Sequence, residues 1–537
     1  MTTRIFTDRS RCETAQRCLR ARFLNYHEGP SGMGITAAKK PLALAVGGAC
    51  HVGYSVLLAG GQKVVDMPNP VDSMVWRDLE DDAVEQALAD FAAFDAGRLE
   101  LDLGESDAQD LSAFDQAARV KVRSDVDQYL YDEQRALVEA MVRAYARRRL
   151  RPLLEQYEVL EVEREGQWLL SDIQGECRNA WHDGANSPVT CPSCGSVTWR
   201  ERLHVVRQLW FMSRPDALLR SRQSNDLYIQ SFKTGASWDL RKGKDAEHDA
   251  QGLSEGVEIE RRLGEWWGAL LGGIMPQIIT DGRKPEDAVS PAMIEYLKGL
   301  AAPPRILGIR YEFLWKGQRR EDRDLTSRFG VTCYAQKSHL IRGYLNAGMT
   351  SGDEAWNWSW DYLKDGGETS KLYWKAWRGA AVWESMPVAK WIDMLDATVE
   401  TVGEEGAAKG WSGPAQATGF TAEHPLDLVF HPPLIVYRNS DDLRDWVESV
   451  EAQEVRIAEN VARVRAATDE GERRSLLNVL FPMNRQSCTY PSVCQFCNSA
   501  GRVGICYASE HVKANPLASG EYKVREANHP IETSGDE

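Results

Sequence analysis

Ser10-Arg-Cys-Glu13 has the spacing of a helix capping box, and Leu19, Phe23 and Tyr26 continue it as the apolar face of an opening amphipathic helix. Cys18 is expected in the middle of that helix. After a Gly-rich loop, residues 42–58 are apolar and rich in small side chains, and an acidic, mostly helical stretch runs from about Asp78 to Tyr157. Strand character returns over 159–170, breaks across 172–200, and resumes over 203–211 and 226–232, which are rich in Val, Leu, Tyr and Ile. A long helix is expected over about 245–271, a further strand over 305–315, and a charged helix over 442–467. No apolar run reaches the roughly 18 residues that would cross a bilayer, and Met1-Thr-Thr-Arg4 lacks the apolar core of a secretory signal. A soluble, cytoplasmic protein is expected.

With 537 residues the chain can hold roughly two to four domains, and its apolar fraction suffices for proper cores. The net charge of −15 argues against a uniformly basic wrapper of nucleic acid. Charge is nevertheless clustered. Acidic residues concentrate between Asp78 and Glu133, Arg143, Arg147, Arg148, Arg149 and Arg151 form a basic run, and residues 316–323 form another. Each run reads either as a solvated helix face or as a surface that meets DNA. Of eleven cysteines, seven fall in two tight groups, which favours metal sites over disulfides. Cys50 and Cys333 stand alone and read as small buried apolar side chains.

Cys191-Pro-Ser-Cys194-Gly is a knuckle, and with Cys177 and His182 it forms a candidate zinc hairpin. His204 or a water is the alternative fourth ligand. A second group, Cys488-x5-Cys494-x2-Cys497-x8-Cys506, places four thiolates at a spacing that holds tetrahedral iron or zinc. Met212-Ser-Arg-Pro-Asp216 reads as a turn carrying an acid, and Tyr228-Ile-Gln-Ser-Phe-Lys233-Thr-Gly as a buried strand ending in a lysine. Metal-assisted phosphodiester cleavage needs carboxylate and imidazole ligands for Mg2+ or Mn2+ and a cation near the phosphate.

In order along the chain, Gly47-Gly-Ala-Cys-His51, Asp216, Lys233-Thr-Gly and Gln251 resemble the RecB-like PD-(D/E)XK nucleases, a phage or mobile-element type that carries an iron-sulfur cluster. The resemblance covers about half the chain in three separated blocks. It implies an α/β fold with a restriction-endonuclease-like core, a mixed sheet flanked by helices, interrupted by helical insertions, a zinc ribbon and an iron-sulfur clasp. The implied layout has the N-terminal part of the nuclease domain at 1–60, a helical insertion at 61–158, and the nuclease core at 159–310 with its zinc hairpin at 172–200. A Trp-rich region follows at 311–440, where core packing and stacking on bases are the alternatives, then the C-terminal helix and cluster segment at 441–515 and a disordered tail at 516–537.

What the resemblance implies is a Mg2+- or Mn2+-dependent DNA exonuclease or endonuclease in DNA processing, recombination or defence. DNA and other nucleic-acid-processing proteins would be its partners, with no membrane. His51 and Asp216 would bind the metal, Lys233 would serve the phosphate and Gln251 would support it. One ligand is missing, because Ser231 stands where the family has Asp or Glu. Glu247, Gln251 and Glu255 recur every four residues on one helix face, so Glu247, or secondly Glu255, is expected to deliver the migrated acid. Ordinary surface charge is the alternative for that face. A 4Fe-4S cluster would take Cys18, Cys488, Cys494 and either Cys497 or Cys506, clasping the two ends of the domain, whereas a zinc site would use the four C-terminal cysteines alone. Two other functions compete: a catalytically inactive nuclease fold that binds DNA or serves assembly, and a zinc-ribbon interaction protein.

Overall fold

The computed structural model describes residues 3–29, 32–37, 40–67, 73–93, 99–100, 113–176, 189–190, 197–198, 203–236, 246, 250–272, 289–323, 326–327, 330, 332–341, 388–389, 392–393, 396, 425–488, 494–496, 505–506, 517 and 522–525. The N-terminal half runs β1 (Thr3–Asp8), α1 (Arg9–Arg17), α2 (Leu19–His27), β2 (Ile35–Ala37), α3 (Leu42–Val65), α4 (Ser73–Ala92), α5 (Ala113–Tyr145) and α6 (Arg151–Gln156). Strands β3 (Tyr157–Val162), β4 (Gly166–Glu176), β5 (Leu203–Ser213), β6 (Ala217–Ser221) and β7 (Leu227–Gly235) follow, then helices α7 (Ala250–Leu271) and α8 (Pro291–Lys298). The chain continues with β8 (Ile306–Trp315), β9 (Gln318–Glu321), β10 (Tyr334–Lys337), β11 (Leu434–Tyr437), α9 (Ser440–Arg465), α10 (Glu470–Leu480) and β12 (Tyr522–Val524).

The protein is mixed α/β. Its main sheet has five strands in the order β11-β8-β7-β6-β3, antiparallel at every junction except the parallel pair β7 and β8. That parallel pair requires a crossover, and α7 and α8 supply it. β7 is buried from Leu227 to Phe232, as a central strand covered on both faces must be. On one face Tyr228, Phe232 and Leu314 pack under α3, α5 and α6; on the other Ile229, Tyr311, Phe313 and Trp315 pack under α7 and α8. The boundary expected at 310 falls inside β8, and β11 from the expected Trp-rich region completes the sheet. A second sheet, β1-β5-β4, lies against α7 and α9 through Trp168, Phe211, Val257 and Trp446.

α3 departs from the expectation of no bilayer-length apolar run. Residues 44–65 are long and apolar enough to cross a membrane, yet half of that window is buried inside the protein. Ala45, Ala49, Tyr54, Leu57 and Leu58 spend the apolarity on the core between the sheet and α4 to α6.

The opening helix is two helices. Asp8, not Ser10, caps α1 by accepting from the Arg11 N–H at 2.8 Å. Cys18 then sits at an extended break (φ −161°, ψ 113°) between α1 and α2, rather than mid-helix. α2 is clamped to the C-terminal helices: the Phe23 and Phe481 rings are 4.9 Å apart, Arg22 pairs with Glu454 at 2.8 Å, and Arg473 pairs with Glu28 at 2.7 Å. The tail expected to be disordered contains β12, which pairs antiparallel with β2 and buries Tyr522 beside Phe496.

The first basic run is largely ion-paired or ring-stacked within the protein, with Arg151 exposed. It straddles a π turn at Ala146–Leu150. Arg143 and Arg147 meet Glu80 at 2.8 and 2.9 Å, and Arg147 also meets Asp393 at 2.8 Å. Arg148 meets Asp427 at 2.9 Å, Arg149 lies over the Phe430 ring, and Arg151 lies over Trp76. Part of the acidic stretch is thus the counter-charge of the basic run. In the second run Lys316 is buried and Arg319 donates to the Tyr334 carbonyl across the β9-β10 hairpin.

Candidate metal centre

Three sheet elements and one helix converge at the edge of β6. α3 brings His51, and Gly47 one turn earlier lets the helix approach β7, because a Cβ there would stand 3.1 Å from Thr234 Oγ1. The Pro215-Asp216 step between β5 and β6 brings Asp216. Its Oδ2 accepts the Phe232 N–H at 2.6 Å, and its Oδ1 lies 3.1 Å from His51 Nδ1. The turn between β3 and β4, where the chain passes from the main sheet to the second, brings Glu163, whose backbone is left-handed (φ 47°) and whose N–H donates to the Asp216 carbonyl at 3.1 Å. Ligand atoms of His51, Glu163 and Asp216 all lie within 4.8 Å of one another. Two carboxylates and an imidazole within that span form a donor set suited to a hard divalent cation.

The surroundings hold these groups in place. Ser55 Oγ, one turn after His51, donates to Glu163 Oε1 at 3.3 Å. Below the turn, Arg262 of α7 binds Glu161 at 3.2 Å and Glu258 at 2.9 Å, while Ser213 donates to Glu258 at 2.8 Å. Ser290 closes the set with an N–H to Glu161 at 3.0 Å. Glu161, Ser213, Glu258, Arg262 and Ser290 are all buried, so the turn carrying Glu163 stands on a satisfied polar network. Arg214 meets Glu163 from the solvent side at 3.2 Å.

Burial disfavours charge on His51, but the adjacent Asp216 carboxylate, through its charge and hydrogen bond, holds the imidazole above its ordinary value. Asp216 responds in the opposite sense. Burial would raise it, yet His51, the Phe232 N–H and Lys233 together leave it below the usual carboxylate range. Glu163 is pushed up by burial first and by Asp216 second, against Arg214 and His51.

Lys233 lies on β7, partly exposed, with its Nζ 5.7 Å from the Tyr311 ring centre. α7 begins over the same ring, because a Cβ on Gly252 would stand 3.0 Å from Tyr311 Oη. Gln251 lies in the first turn of that helix, although its side chain and all of Glu247 lie outside the described residues. Glu255 is buried on α7 outside the ligand group. Ser231 is fully buried, with no hydrogen-bond partner for its Oγ.

The sequence reading brought His51, Asp216 and Lys233 to one place and missed Glu163. Residues 159–170 read as one strand, whereas Glu163-Arg164-Glu165-Gly166 is a charged turn between two. The run of charge before a glycine was the available signal. Of the expected cluster ligands, Cys18, Cys494 and Cys506 pack against one apolar cluster with Phe23, Phe481 and Phe496. Cys18 Sγ accepts the Asn484 N–H at 3.4 Å. Cys497 and the Cys488 side chain lie outside the described residues, as do Cys177, His182, Cys191 and Cys194. No protein-family model matches the chain, and no curated protein matches it.

Proposed function

We propose that this protein is a Mg2+- or Mn2+-dependent nuclease of the RecB-like PD-(D/E)XK type, with His51, Glu163 and Asp216 as metal ligands. The observation that carries this reading is the meeting of those three donors within 4.8 Å, on a mixed sheet whose next strand delivers Lys233. Glu163 supplies the carboxylate absent at Ser231, so the acid has moved to the β3-β4 turn, and Glu247 is not needed for a complete donor set. A cation bound there would lower the pKa of a water nucleophile and neutralise charge on a phosphodiester oxygen.

The residues divide the remaining work. Asp216, kept ionised and fixed by the Phe232 N–H, presents one oxygen steadily. His51 offers Nδ1 once it has lost its proton. Lys233 places positive charge where the pentacovalent phosphorus gathers negative charge, and the low-dielectric wall of Phe232 and Tyr54 strengthens that attraction.

The Cys18 break, the Asn484 N–H on its sulfur, and the approach of Cys494 and Cys506 to the same apolar cluster support an iron-sulfur clasp. Its role would be to tie the chain ends together. The zinc hairpin at 172–200 stays part of the proposal on its sequence alone.

The test is cleavage of labelled single- and double-stranded DNA by anaerobically purified protein with Mn2+ or Mg2+. Wild type is expected to cut, and Lys233→Ala and Glu163→Ala to lose at least about a hundredfold. Glu247→Ala run beside them decides which acid serves. No cutting by wild type, with DNA binding intact, would replace the nuclease by an inactive DNA-binding fold.

A further inference from the structure

Arg214 stands two residues before Asp216, and its side chain is 53% exposed. Its Nε lies 3.2 Å from Glu163 Oε2, and its Nη1 lies 4.0 Å from Glu165 Oε1. Glu163 therefore faces two cationic demands. The guanidinium holds it from the solvent side, and the space shared with His51 and Asp216 lies on the inner side. A divalent cation in that space would draw the Glu163 charge inward and repel the guanidinium. What is released is a long, half-exposed side chain ending in a planar fork beside the site. That fork matches two oxygens of a phosphate, which Lys233 as a point charge does not do.

We propose that Arg214 is a phosphate-binding residue of this site, held on Glu163 and Glu165 in the metal-free protein and freed toward a phosphodiester when a divalent cation takes Glu163. The inference rests on the metal-dependent reading above. Its ligand is the phosphodiester backbone, independent of base sequence. In the metal-free protein the same contact guards the carboxylate, so metal and substrate phosphate are coupled through one side chain. The coupling has a distinctive sign. Removing Arg214 removes a competitor for Glu163, so metal binding tightens while phosphate binding weakens. An arginine that merely orients Glu163 would loosen metal binding when removed.

The experiment is titration calorimetry of Mn2+ into the full-length protein without nucleic acid, for wild type, Arg214→Ala, Arg214→Lys and Glu163→Ala. It is followed by kcat and KM for a labelled DNA oligonucleotide at saturating Mn2+. Arg214→Ala is expected to bind Mn2+ roughly two- to fivefold more tightly, with a KM for DNA raised roughly tenfold. Arg214→Lys should keep wild-type Mn2+ affinity and show an intermediate KM. Unchanged or weaker Mn2+ binding by Arg214→Ala, or an unchanged KM, overturns the role of Arg214 and leaves the metal site standing. Mn2+ binding equal in wild type and Glu163→Ala overturns the metal site itself, and the Arg214 proposal with it.

Discussion

Glu163 adopts a left-handed backbone that costs a residue with a Cβ about 1 kcal/mol. It stays there because the Asp216 carbonyl takes its N–H and Arg262, itself paired with Glu258, holds the end of β3 through Glu161. Such strain is retained where a side chain must be aimed. Metal-free Glu163→Gly is therefore expected to be more stable than wild type by roughly 0.5 kcal/mol, while Mn2+ binding falls by at least tenfold. Thermal melting and calorimetry on the same protein check both. A lower melting temperature with unchanged Mn2+ affinity would defeat the idea that this residue exchanges stability for a ligand.

At the scale of elements, the π turn and its arginines act as a strut between α5, α4 and the region around Asp427. Arg147→Ala leaves Glu80 with a buried, partly unpaired carboxylate and is expected to cost roughly 2 kcal/mol, with the salt dependence of DNA binding unchanged. A reduced salt slope would return this run to the DNA surface. The α2 clamp carries a pH dependence. Arg22 Nη1 lies 2.9 Å from His27 Nε2, and because arginine only donates, that nitrogen accepts and the ring is neutral. Burial first, then Arg22 and Arg11, hold His27 well below its ordinary value of 6.5. Below that pH the unfolded chain binds a proton that the folded chain refuses, so stability falls as pH drops through about 6.5. His27→Gln is expected to flatten that part of the melting temperature against pH, and an unaltered profile would exclude His27 as its source.

For the whole molecule, the two chain ends form one unit. β12 pairs with β2, Gln495 accepts the Ala37 N–H at 2.9 Å, and Arg525 donates to the Met33 carbonyl at 3.1 Å. Deleting residues 516–537 should lower the melting temperature and speed proteolysis between α2 and α3, with the proposed Mn2+ binding retained because the candidate ligands lie on other elements. An equal loss of Mn2+ binding would mean that the clasp and the site fold as one.

Strand and helix periodicity, the buried run of β7, the Pro215-Asp216 turn and the Gly47 to His51 spacing were all legible along the chain, because each is a local pattern of burial or backbone need. Those patterns placed His51, Asp216 and Lys233 in one neighbourhood through a family resemblance, and they marked residues 42–58 as apolar. They did not identify Glu163, since a carboxylate in a charged turn looks like any other until the β3-β6 pairing sets it beside Asp216. The partners of Arg147 lie 67 and 246 residues away in sequence, at Glu80 and Asp393, so an arginine that looks solvent-bound along the chain is paired by distant segments. The break at Cys18 likewise meets a distant partner, the Asn484 N–H, more than 450 residues on. Local backbone preference reads from sequence; the identity of a charge's partner depends on which distant segments the fold brings within a few ångströms.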